Sequence, residues 1–263
     1  MIEVLGWALC VLLALAMSGL PDFLISRVVG RTEPRPDALV VRMDIEAWDP
    51  AEAPPPPTAA EHFREHDPTL RSLGFEHRAL LHDPPMGWVS LYFHPLDGDR
   101  AVLVSIQPET SYLEFSTEHE DEVVVDTNDA TELGVLARPE SHHVFQFPEV
   151  EDVAELHRRH RALVSVFGSS APKVAHPPGC EVEEAREARK RVLDRQVSAG
   201  LMRTAPDGSW RVTVWGFCLM AGSLLPPFST IRRIRNRRAA TRALASTGYR
   251  PGVREPRAST TDR

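Results

Sequence analysis

Eleven histidines are the side chains of this sequence best suited to hold a metal or move a proton. Two of them, His157 and His160, stand at i,i+3 in a stretch of helical periodicity, and His142-His143 open a strand-like run. A metal pair on a helix needs third and fourth ligands from His, Cys or carboxylate elsewhere. Here His160 lies on the apolar stripe between Leu156 and Leu163, while His157 is displaced toward Arg158 and Arg161. That placement predicts histidines at the edge of a core, hydrogen-bonded to neighbours. His176 and Cys180 bracket Pro177-Pro178-Gly179 like half a zinc site with no second half in the chain. The expectation is no metal and no cofactor.

Nucleophiles fare no better. Gly168-Ser169-Ser170 follows a helix, so it is not the strand–turn–helix elbow of a hydrolase. Cys180 precedes Glu181, Glu183 and Glu184, whose charges disfavour a thiolate. Cys10 and Cys218 lie in apolar runs, so no disulfide framework is expected. The acidic loop Glu118–Glu122 lacks the alternate ligands and glycine of a calcium loop and reads as a solvated hairpin tip. One strand pattern stands out. Trp88, Tyr92 and His94 alternate with Val89, Leu91 and Phe93, giving one aromatic face with polar handles and one aliphatic face. If the aliphatic face packs on helices, Trp88, Tyr92 and His94 form a ligand-binding surface; otherwise they pack under another helix or against lipid.

The elements that position these residues run from about residue 58 to 201. Thr58 and Glu61 have capping-box spacing, and Asp67-Pro68 predicts a second helix start that Gly74 ends. Strand-like runs follow at 75–81, 88–94, 101–107, 112–117 and 123–126, with a further one at 143–147. Asp97-Gly98 is a hairpin signal. Helical periodicity takes over from Val150 to Phe167, and a more polar helix covers about 181–199. The order predicts an α+β domain, an antiparallel meander of five to six strands packed against helices.

Around that domain the composition changes. Val4 to Leu20 is uncharged and about as long as the shortest bilayer-spanning helix, roughly 17 residues. With Glu3 rather than a basic start, 1–21 reads as a retained anchor, not a cleaved signal peptide. Residues 22–57 are a linker ending in four prolines, a semi-rigid spacer. Residues 210–231 form a second apolar segment, but Pro226-Pro227 leave only Val212–Leu225 competent for helix, about 21 Å against a core of about 30 Å. It is expected to be interfacial or re-entrant, with spanning the alternative. Residues 232–263 hold ten Arg against one Glu and one Asp, a net +8 in a chain of net −7, so the remainder carries −15. The acidic body argues against nucleic acid. The basic tail suggests contact with anionic lipid headgroups through Arg232, Arg233, Arg235, Arg237, Arg238 and Arg242. Arg27, Arg31 and Arg35 follow the anchor, which puts the domain in the cytoplasm at the inner membrane with one crossing.

The C-terminal third combines Trp210, Arg211 and Thr213, a Gly-containing apolar stretch reaching Pro226-Pro227, the arginine run, and Ala-Leu-Ala-Ser-Thr-Gly at 243–248. With the N-terminal anchor it resembles a group of uncharacterised bacterial membrane-associated proteins, over the first twenty residues and 208–248. The resemblance implies no activity. From the residues, the chain reads as a binding or scaffold module at a membrane surface, with the lipid bilayer and a membrane-protein partner as what it meets. The alternatives are a membrane-tethered enzyme, hydrolase-like and using His and Glu, or a structural subunit of a membrane complex.

Overall fold

The computed structural model describes residues 40–41, 45–49, 54–83, 87–107, 110–131, 138–213, 215–216, 219 and 228–250. The expected anchor at 1–21, most of the linker, and half of the 210–231 segment, with its proline pair, lie outside them. No helix among the described residues is long and apolar enough to cross a membrane.

The expected α+β class holds. A seven-stranded sheet runs in the order β2 (Glu46–Ala47), β3 (Glu76–Asp83), β4 (Gly87–Phe93), β5 (Arg100–Gln107), β6 (Thr110–Glu118), β7 (Val124–Asn128) and β8 (His142–Gln146). All neighbours are antiparallel except β7 and β8, which are parallel. Five of the strands form a meander because each connection is a short turn. At Asp97-Gly98 the chain reverses with Gly98 at φ 68°, a conformation L side chains rarely adopt, and its N–H donates to the His94 carbonyl. A parallel pair needs a longer crossover, and the thirteen residues between β7 and β8 supply it. A second, three-stranded sheet joins β1 (Val40–Val41), β10 (Trp210–Val212) and β9 (Met202–Thr204).

Four helices are described: α1 (Pro57–Ser72), α2 (Val153–Phe167), α3 (Glu181–Ser198) and α4 (Phe228–Ser246). Asp152 caps α2 by accepting from the Ala154 N–H. The capping box expected at Thr58 does not form: Pro56 is the N-cap, without a side-chain hydrogen bond. Nor does a second helix begin at Pro68, which lies inside α1. A proline there removes one helical hydrogen bond and costs about 3 kcal/mol. Burial of Ala59, Phe63 and Leu70 along one side of α1 holds the helix continuous across it.

Both faces of the sheet are covered. On the first, Leu103, Leu113, Phe115 and Val125 pack against α1, α2 and the Ala240 and Leu244 side of α4. On the second, Leu81, Leu91 and Phe93 pack against Val182 and Ala185 of α3. Residues set apart in the sequence as a basic tail are therefore partly structural. Up to Tyr249, whose hydroxyl donates to Glu155 on α2, they fold onto the domain. The apolar signal there was diluted by arginines, and small alanines do the packing.

Candidate functional site

The expected ligand surface on β4 is taken apart by packing. Tyr92 is buried under α1, where its hydroxyl donates to Asp67 at 3.0 Å and desolvation pushes its pKa up to about 12. Trp88 stands edge-on to Trp48, with ring centroids 4.8 Å apart, and lies against His82. His94 has left the strand; its Nδ1 accepts from the Asp97 N–H and its ring meets the edge of Phe75. The three share no common surface. Tyr92 alone lines an open groove of about 820 Å³ between α1 and the β3–β4 edge, with Trp48, Phe63, Asp67 and Arg71 among its walls.

His157 and His160 lie where the sequence puts them, toward a core, but deeper than its edge. His160 is fully buried, with Thr117 Oγ1 2.9 Å from Nε2 and Thr127 Oγ1 3.1 Å from Nδ1. Thr117 donates in turn to Asp99 at 2.7 Å, and Lys173 Nζ closes the network on the same carboxylate at 2.6 Å. Burial lowers the pKa of both histidines to about 4, so each is neutral near pH 7. Asp99 is held below its ordinary value although burial opposes this: with His160 neutral, Lys173 and the Thr117 hydroxyl favour its charge. Lys173 is the one member of the set that is partly exposed, and the rest of the network is enclosed and specifies the core.

A second polar row, absent from the sequence reading, crosses the other sheet face at β6–β8. His142 Nε2 sits 2.5 Å from Asp126 Oδ2, and Asn128 Nδ2 donates to Glu114 Oε2 at 3.0 Å. Asp126 is held below the usual carboxylate range despite burial, because His142, Ser116 and Arg100 favour its charge. Glu114 goes the other way. Burial, then the Asp126 charge, raise it to about 8, so at neutral pH the row holds one ionised and one protonated carboxyl. The signal available in the sequence was period-two alternation, with Glu114, Asp126 and His142 at like-facing positions of three strands. The pairing that brings them together is not readable from it. Asp126 Oδ1 and Asn128 Oδ1 are sealed from solvent, so the row is a costly polar device beneath the surface.

The outer surface with the clearest functional chemistry is at the C-terminal end. Among the described residues, six large apolar side chains are exposed, and four of them fall between 215 and 234. Trp215 is 62% exposed and Leu219 36%. The stretch is pinned to the domain beside them: the Thr213 N–H donates to the Leu201 carbonyl, and the Gly216 N–H to Thr213 Oγ1. A Cβ at Gly216 would lie 2.1 Å from the Leu201 carbonyl oxygen, so only glycine fits this approach. On α4, Ile231 is 57% and Ile234 47% exposed. At 100° per residue they share a side with Arg235, Arg238 and Arg242, opposite the buried Ala240. The helix carries six Arg and no acidic residue.

The six arginines named from the sequence divide. Arg237 reaches Glu149 at 3.6 Å, Arg233 is exposed but engaged, and Arg232 is half-buried with one guanidinium nitrogen enclosed. Arg235, Arg238 and Arg242 face outward, where with Arg237, Ile231, Ile234 and Thr241 they line a shallow recess of about 690 Å³. Cys180 is exposed and free, and His176 bonds Glu184 at 2.8 Å. Among the described residues no group of His, Cys, Asp and Glu has the arrangement of a metal site. Set against protein-family models, curated proteins and solved structures, the chain matches none.

Proposed function

We propose that this chain is a binding module held at a membrane surface, and that the described part touches the bilayer through Trp215, Leu219 and the outward side of α4. The observation that carries the reading is the pairing of exposed Trp215, Leu219, Ile231 and Ile234 with an all-basic helix. Large apolar side chains on a water-facing surface are unfavourable unless something covers them. A tryptophan and aliphatic residues beside arginines, with no acid, have the composition of an element lying at the headgroup level. Each arginine near an anionic leaflet adds about 1 kcal/mol to the contact. The cytoplasmic inner-membrane location rests on the arginines following residue 21 and on the same basic helix, and it belongs to this proposal.

Burial of both carboxylate- and histidine-bearing networks favours binding over catalysis as the role of the domain. The test uses the full chain reconstituted into vesicles containing bromine-labelled lipid. In a Trp7→Phe background, which removes the tryptophan of the expected anchor, fluorescence quenching that disappears on adding Trp215→Phe is the expected result. Quenching unaltered by that second substitution would leave Trp215 in water and overturn the reading.

A further inference from the structure

Resting on that reading of the surface, the arrangement of arginines on α4 narrows what it meets. We propose that Arg235, Arg238 and Arg242 form a discrete site for a lipid headgroup carrying two phosphates, and not merely a diffuse basic patch. Three observations converge. The residues stand at i, i+3 and i+7, so their side chains line one side of the helix over about 10 Å. That is longer than one phosphate fills.

Second, Arg235 and Arg238 make no ion pair among the described residues, whereas Arg237, at the rim of the same recess, shares Glu149 with Arg159. Among the described residues Arg242 only donates from Nε to the Arg238 carbonyl at 3.2 Å, which fixes its stem and engages neither terminal nitrogen. Guanidinium groups present paired donors to phosphate oxygens, so three such forks suit two phosphates better than a single point charge does.

Third, the recess between these arginines has apolar walls at one end, Ile231 and Ile234. A headgroup seated on Arg235, Arg238 and Arg242 would have its acyl chains running past the isoleucines. A free diphosphate would use the arginines and leave that end wet. α4 itself carries no acid that could occupy the site.

Cardiolipin supplies a sharp test, since it is two phosphatidyl groups joined by one glycerol. One cardiolipin therefore matches two phosphatidylglycerols in phosphate and in acyl chains. The full chain in neutral detergent is titrated with cardiolipin, with twice the molar amount of phosphatidylglycerol, with inorganic pyrophosphate and with a short single-stranded RNA, following the part of the tryptophan emission that Trp215→Phe removes. Expected is at least tenfold tighter binding of cardiolipin than of phosphatidylglycerol. Arg238→Ala with Arg242→Ala should reduce that ratio to within twofold, while urea unfolding stays unchanged. Equal binding of the two lipids would overturn the discrete site and leave the membrane reading standing. Binding of neither lipid would overturn the membrane reading itself. Pyrophosphate binding as tightly as cardiolipin would assign the site to a soluble diphosphate, and tighter RNA binding would assign it to nucleic acid; either outcome overturns the lipid proposal.

Discussion

Helices α2 and α4 pack on the same side of the same sheet, yet they spend their apolar residues in opposite ways. On α2, Val153, Leu156 and Leu163 are buried, with neutral His157 and His160 among them, and the outward side is mostly polar. On α4 the buried side is built from small residues and one leucine, Ala240 and Leu244, while Ile231 and Ile234 face out among arginines. A helix whose only task is to close a core turns its largest apolar residues inward. The contrast is that α2 is finished by the fold, whereas α4 leaves two isoleucines exposed, which the proposed membrane contact would cover.

The comparison breaks most visibly at Leu163. Leu163→Ala on α2 should cost about 3 kcal/mol in urea unfolding, since a fully buried leucine leaves a cavity behind. The next effect is on acidification. His157 and His160 are neutral in the fold with pKa values near 4, against an ordinary 6.5. Unfolding therefore takes up protons between about pH 4 and 6.5, and stability falls as pH drops through that window, by roughly 2 kcal/mol. His157→Phe, in contact with the rings of Phe75 and Phe115, should flatten the slope.

On the sheet face that α2 does not touch, the slope reverses. Glu114 keeps its proton in the fold up to about pH 8, while the unfolded carboxyl loses it near 4.5. Stability fully present below about pH 4.5 is thus lost as pH rises to about 8, and Glu114→Gln should recover about 1 kcal/mol at pH 8 and little at pH 5. The smallest effect belongs to α4. Ile231→Ala with Ile234→Ala should shift unfolding by less than about 0.5 kcal/mol, because exposed side chains add little to the fold. A loss comparable to that of Leu163→Ala would show that the isoleucines are covered by the domain itself and erase the contrast.

Much of the domain was readable because its signals are local. Six strands lie where β-branched and aromatic runs sit between turns, and α2 and α3 where the periodicity and the glycines put them. What escaped is non-local. The two-residue strand β2 has no sequence signature, and the parallel partnership of β7 with β8 depends on a crossover. The Glu114–Asp126–His142 row exists only through that pairing. Pro68 misled because tertiary burial overrode its local preference. On β4, alternation told the two faces apart but could not tell that helices cover both, so Trp88 and Tyr92 became core. The arginines of α4 were legible as a basic run; that Arg235, Arg238 and Arg242 point away from the domain while Arg237 turns toward Glu149 required the fold.

The central claim is that α4 turns its outer side to lipid while α2 turns its own to water. It is tested most directly by single cysteines carrying a nitroxide at 231, 234 and 166, in a cysteine-free full chain reconstituted into anionic vesicles. Val166 is the reference, an exposed apolar position on α2. Collision rates with oxygen, which concentrates in lipid, and with a water-soluble nickel chelate would be compared at each site. The account expects oxygen to dominate at 231 and 234 and nickel at 166. Nickel dominating at all three positions would contradict it.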